Sequence, residues 1–144
     1  MSNKFKRTKL GFTVIELIIV ISIVGIVAAA SFVMFDEARN KAVLQNAQAS
    51  VINALEQARS RAATGVGTTS HGVKIEGNII SECEGDPCIV TSSTTLKSAT
   101  TTNNLTIIFN RLSATSSDAT ITIENTITGD ATTVSVTEDG IIRK

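Results

Sequence analysis

The sequence predicts an α+β chain: a long N-terminal helix, membrane-spanning in its first half and amphipathic in its second, packed on a C-terminal antiparallel β-sheet or β-sandwich. Three observations predict it. From Phe12 to Met34, 23 residues carry one charge, Glu16. After Phe35 the apolar residues thin to a stripe, with Leu44, Ala47, Val51, Leu55, Ala58 and Ala62 recurring every three or four positions, the spacing of one helix face. Beyond Gly72 the period drops to two, the spacing of half-buried strands.

The apolar run comes first. As a helix, 23 residues rise about 34 Å, enough to cross the hydrocarbon of a bilayer once. Lys4, Lys6, Arg7 and Lys9 precede it, and the positive-inside rule keeps that end cytoplasmic and sends everything after Phe35 outward. Glu16 is the difficulty, because a carboxylate in hydrocarbon costs a few kcal/mol and is a functional hypothesis by default. A different reading is a secretory signal peptide cut after Ala30, with "AAAS" at Ala28 to Ser31 as the cleavage site. Two features oppose it: a glutamate in the apolar region works against insertion, and the helical pattern continues for about thirty residues past Ser31.

That continuation starts with Asp36 and Glu37, contains no proline, and meets Gly65 as its stop. A continuous helix from Phe12 to Thr64 would be about 80 Å long, more than a small domain can bury. Its first half then needs lipid or other copies of itself, and its second half needs a sheet laid on the stripe.

The strands follow. Val73 and Ile75, then Leu105, Ile107 and Phe109, then Ile121 and Ile123, then Val134 and Val136 alternate with polar neighbours, and β-branched residues suit a pleated surface. Asp139-Gly140 is a hairpin turn signal before a short last strand at Ile141 and Ile142, and Gly129-Asp130 is another turn. Roughly half of residues 91–137 are Ser or Thr, but the interleaved Ile and Val favour strands over a disordered stalk. Thr91 to Asn104 is expected to be a long loop or irregular edge.

Composition excludes several functions. Thirteen basic residues balance thirteen acidic ones, yet four of the basic ones lie before Gly11, so the chain from Phe12 is net negative and lacks the clustered Lys and Arg of a nucleic-acid surface. There is no Trp or Tyr, and Phe109 is the one Phe beyond Phe35, which leaves no stacking platform for bases. His71 is the single histidine and no G-x-S-x-G elbow occurs, which leaves little room for acid-base or nucleophilic catalysis. The chain is therefore expected not to be an enzyme and to need no cofactor. His71, Cys83 and Cys88 lack a fourth ligand and a familiar zinc spacing. Glu82, Glu84 and Asp86 lack the spacing of an EF-hand, and no metal is expected. "GVGTTS" at Gly65 to Ser70 lacks a Gly-Lys-Ser/Thr ending and follows a helix, so it reads as a connector and not a phosphate loop. Cys83 and Cys88, in "CEGDPC", are close enough to be bridged across a turn holding Asp86 and Pro87, given an oxidising compartment.

A short basic leader ending in Gly11, followed by Phe12, Thr13, Glu16 and a long apolar helix, resembles the type IV pilin and pseudopilin superfamily. The resemblance implies that a prepilin peptidase cuts between Gly11 and Phe12 on the cytoplasmic side and methylates the new Phe12 amine. It implies that Glu16 faces the N-terminal amine of a neighbouring subunit, which supplies a partner for the buried charge and a subunit register. The chain then divides into a leader at 1–11, a transmembrane and filament-core helix at 12–35, its amphipathic continuation at 36–64, and a β-rich pilin-like domain at 65–144. The implied setting is the bacterial inner membrane, single-pass, with the C-terminal domain periplasmic or extracellular, and then a filament. Implied partners are prepilin peptidase, other pilin or pseudopilin subunits, an inner-membrane platform protein with its assembly ATPase, and membrane lipid before assembly.

"LEQARSRAATG" at Leu55 to Gly65, followed by "GVKIE", is similar to H-type minor pseudopilins and fimbrial T-type minor pilins, which implies a minor subunit of a type IV pilus or type II secretion pseudopilus. Arg59 and Arg61 in that stretch read as a solvated face near the helix C-terminus, where positive charge suits the dipole. The chain departs from the family in having Val33 where many members carry proline, which leaves Gly25 for any kink or close helix packing. With two cysteines five apart it also has no long disulfide-bounded C-terminal loop. The other readings are a DNA-binding minor pilin, for which only Arg143 and Lys144 stand at the C-terminus, and a secreted β protein with a conventional signal peptide. So few phosphate contacts argue against nucleic acid as a partner.

Overall fold

The computed structural model describes residues 11–67 and 69–144, without the side chains of 32–34. The leader residues Lys4, Lys6, Arg7 and Lys9, the side chain of Val33, and Thr68 of the connector lie outside the described residues. One helix, α1 (Val14–Thr64), precedes eight strands: β1 (His71–Glu76), β2 (Ile79–Glu84), β3 (Ile89–Thr95), β4 (Ala99–Thr101), β5 (Leu105–Phe109), β6 (Ala119–Asn125), β7 (Ala131–Val136) and β8 (Ile142–Arg143). The class is α+β, as the two periodicities predict. The chain forms two compact units, one reaching Glu37 and the other running from Ala38 to Lys144.

In the second unit the strands form two four-stranded sheets, ordered β3-β2-β1-β5 and β4-β6-β7-β8, with every pairing antiparallel. A single apolar core joins them to α1. Ala47, Val51, Ile52, Leu55, Ala58 and Ala62 of the helix are buried with Val73, Ile75, Ile107 and Phe109 of the first sheet and Ile121, Ile123, Val134 and Val136 of the second. The predicted stripe is therefore the buried face, widened by Ile52, while Leu44 packs at its edge half-buried. Gly72 lies at a close approach of β1 and β5: a Cβ there would sit 2.5 Å from the Ile107 carbonyl oxygen, which only a residue without one avoids.

Polar ties set the helix against each sheet. Buried Asn125 donates from Nδ2 to the Asn40 carbonyl at 3.3 Å and accepts from the Ile127 amide at 2.9 Å, so the β6–β7 turn is tied to α1. Gln48 Nε2 donates to Thr132 Oγ1 and to the Thr133 carbonyl, each at 3.2 Å. On the other sheet, Arg61 Nη1 pairs with Glu82 Oε2 at 3.1 Å. Arg61 is thus a helix-to-sheet clamp and not simply part of a solvated face.

The helix stops in a Schellman motif. Val66 N donates to Arg61 O and Gly65 N to Ala62 O, both at 3.2 Å, with Gly65 at φ +67°, a conformation that favours glycine. The loop after β5 completes the end: Leu112 N donates to Ala62 O at 2.7 Å and Arg111 Nη2 to Gly65 O at 3.2 Å.

Residues 91–104, expected as a long loop or irregular edge, are not a long loop: they hold most of β3 and all of β4, and the pairing of β3 is interrupted by a register shift. Both are edge strands. All seven residues of β3 are exposed, so no buried face imposes an alternation on its sequence. β2 also escaped the sequence reading. It carries Glu82 on the face it turns to the helix, paired to Arg61, which breaks the apolar period. β7 and β8 are shifted by one or two residues from the predicted spans, and the Asp139-Gly140 turn does join them, with Val136 opposite Ile142. The β2–β3 hairpin is closed by a Cys83–Cys88 disulfide with Cα atoms 5.3 Å apart.

Two stability measurements follow for the full chain in detergent. Leu55→Ala, at a fully buried centre of the shared core, is expected to lose about 2–5 kcal/mol, while Ile89→Ala, 69% exposed, stays within about 0.5 kcal/mol; urea unfolding reads both. Closing so short a loop restricts the unfolded chain by about 2 kcal/mol. Replacing both Cys83 and Cys88 by Ser should cost that much, and dithiothreitol should lower the melting temperature of the unaltered chain but not of the variant.

Candidate functional site

The helix begins where its sequence supplies a cap. Thr13 Oγ1 accepts from the Glu16 backbone amide at 3.3 Å, and Thr13 O accepts from Leu17 N at 3.2 Å. Thr13 is the N-cap and Glu16 the third residue of the first turn. Thr-x-x-Glu is capping-box spacing, a signal present in the sequence that the reading of the apolar run left unused. At this position the helix dipole favours a carboxylate by about 0.3–1 kcal/mol. Hydrocarbon opposes it by a few kcal/mol, so the local helix does not by itself account for the charge.

The other polar side chains of this stretch are satisfied within the chain. Ser22 Oγ donates back to Ile18 O at 2.8 Å and Ser31 Oγ to Val27 O at 2.9 Å, the arrangement a helix uses where water is absent. From Phe12 to Ser31, the Glu16 carboxylate is the polar side-chain group with no hydrogen-bond or ion-pair partner among the described residues. Around it the large apolar side chains are open, from Phe12 at 82% through Val20 at 49% to Val27 at 60%. So long a run of exposed apolar surface marks a membrane or protein contact. A Cβ on Gly25 would meet nothing within 4 Å, so its own unit gives no packing reason for a glycine there. Gly11 and Phe12 lie just ahead of the capped turn, exposed and outside regular structure.

The remaining candidate residues are dispersed. His71 is buried, with Nε2 2.7 Å from the Val66 carbonyl and Nδ1 3.8 Å from Glu84 Oε1, so it ties the connector after α1 to the sheet. Glu82 faces Arg61, Glu84 faces His71, and Asp86 sits in the hairpin turn before Pro87, so each carboxylate of the acidic cluster has its own setting. Among the described residues no three His, Cys, Asp or Glu side chains converge as metal ligands do. Arg59 lines a surface cleft of about 380 Å³ with Glu56, Ser60 and Ser113.

Comparison with curated proteins and with solved structures returns no match. Residues 6–32, a span that includes Gly11, Phe12, Glu16 and most of the open apolar stretch, match the prokaryotic N-terminal methylation motif, and the chain therefore carries a type IV pilin-like prepilin segment.

Proposed function

We propose that the chain is a non-catalytic structural subunit, of the minor class, of a type IV pilus or type II secretion pseudopilus. A prepilin peptidase cuts between Gly11 and Phe12 and methylates the Phe12 amine. The apolar first half of α1 then anchors the subunit in the inner membrane until it passes into a filament core. Under this reading residues 1–11 are the leader, 12–35 the core helix, 36–64 its amphipathic continuation and 65–144 the β-rich domain. An inner-membrane platform protein and an assembly ATPase serve as partners together with the other subunits. With the domain outside the cytoplasm, the Cys83–Cys88 bridge persists.

One observation supports the reading above the others: among the described residues, Glu16 is left without a partner in a stretch, Phe12 to Ser31, whose other polar side chains are satisfied. The Phe12 amine of an adjacent subunit is a fitting counter-charge. Two desolvated charges gain little over an apolar pair, but leaving either alone is costly, so the pairing serves best as a register key between copies. The cap adds to this by fixing where the first turn begins, and with it the height of Glu16.

N-terminal sequencing of the mature protein tests the processing step, with Phe12 expected and Ser31 the result of a conventional signal peptide. Gly11→Leu should leave an uncut, slower-migrating precursor on a gel. Glu16→Leu should insert and be cleaved as before while its recovery in sheared filaments falls at least several-fold. Filament entry at the unaltered level would remove Glu16 from this role.

A further inference from the structure

The second unit holds a cleft of about 450 Å³ between α1 and the β3–β4 connection. Two cations line it, Arg39 from the helix and Lys97 from the connection, distant in sequence and brought together by the fold. Asn46, Ser50 and Ser98 add an amide and two hydroxyls, over a base that includes buried Leu96. No carboxylate lines the cleft, and among the described residues neither cation has one within 4.0 Å. Asp36 and Glu37 lie nearby on the helix but are not part of the lining. A cleft lined by one sign of charge concentrates counter-ions, and a guanidinium and an ammonium beside hydroxyl donors suit a phosphate.

Chain position decides which phosphate. Arg39 follows Met34, the last residue of the apolar run, by five residues. A basic residue so close in sequence to the end of an apolar span is within reach of the anionic headgroups at the bilayer surface. We propose that the Arg39–Lys97 cleft binds the headgroup phosphate of an anionic phospholipid in the outward leaflet, holding the domain on the membrane surface before assembly. The proposal rests on residues 12–34 lying in a bilayer and goes beyond the filament role, which needs no lipid-specific contact.

The test uses the full-length chain in nanodiscs containing equal amounts of phosphatidylglycerol and phosphatidylcholine. Native mass spectrometry after release reads the lipids retained. The unaltered chain should keep phosphatidylglycerol over phosphatidylcholine, and Lys97→Gln and Arg39→Gln should each lower that preference at least threefold. Lys74→Gln, at a lysine already paired with Glu76 at 2.9 Å, should leave it unchanged. Circular dichroism checks that each variant is folded, and two variants on different elements guard against one failing to fold. Equal retention of the two lipids, or an undiminished preference in both cleft variants, overturns the proposal. So does displacement of the lipid by excess inorganic phosphate, which would make the cleft a site for free anions. A chain that does not enter the discs refutes the membrane reading itself, whereas an inserted chain with no lipid preference refutes only the cleft.

Discussion

One face of one helix closes the core of both sheets. Val51 and Leu55 are fully buried at its centre, and Ala47, Ala58 and Ala62 extend it with side chains small enough to let strands come near. Remove that face and Val73, Ile107 and Phe109 on one sheet, and Ile121, Ile123 and Val134 on the other, lose their common cover. Hydrophobic burial is non-directional, so it would tolerate a helix slid by a turn. The polar ties would not: Asn125 to Asn40, Gln48 to Thr132 and Arg61 to Glu82 each require one height along the helix. Burial supplies the stability and these contacts supply the register.

The stretch from Phe12 to Val27 obeys the same physics with no cover among the described residues. From Glu16 onward the helix satisfies its own backbone amides, Thr13 caps the first turn and Ser22 bonds back to the preceding turn, so the side-chain surface and one carboxylate stand out as unmatched among the described residues. Apolar surroundings suit the first, and a positive group suits the second. Neither demand is met among the described residues.

Legibility in the sequence tracked burial. The helical stripe, the inward positions of β1, β5, β6 and β7, and the turn at Asp139-Gly140 could be read because each sits at a boundary between core and water. β3 could not, since both its faces are exposed and its Ser and Thr residues carry no alternation. β2 was hidden by Glu82, whose inward direction makes sense only with Arg61 opposite it. At the candidate site, Glu16 and its setting were plain in one dimension. The cap at Thr13 was also legible there, in the Thr-x-x-Glu spacing, whereas the role of His71 behind Val66 and the meeting of Arg39 with Lys97 are products of folding.

The sealing face of α1 also fixes an order of events during synthesis. Val51 and Leu55 leave the ribosome before any strand exists, and the second sheet is complete only when β8 has followed β7. Local helix forms quickly, whereas pairings between distant segments are slow. A nascent chain therefore carries two greasy surfaces in succession, and the strands that follow close over the one at Val51 and Leu55.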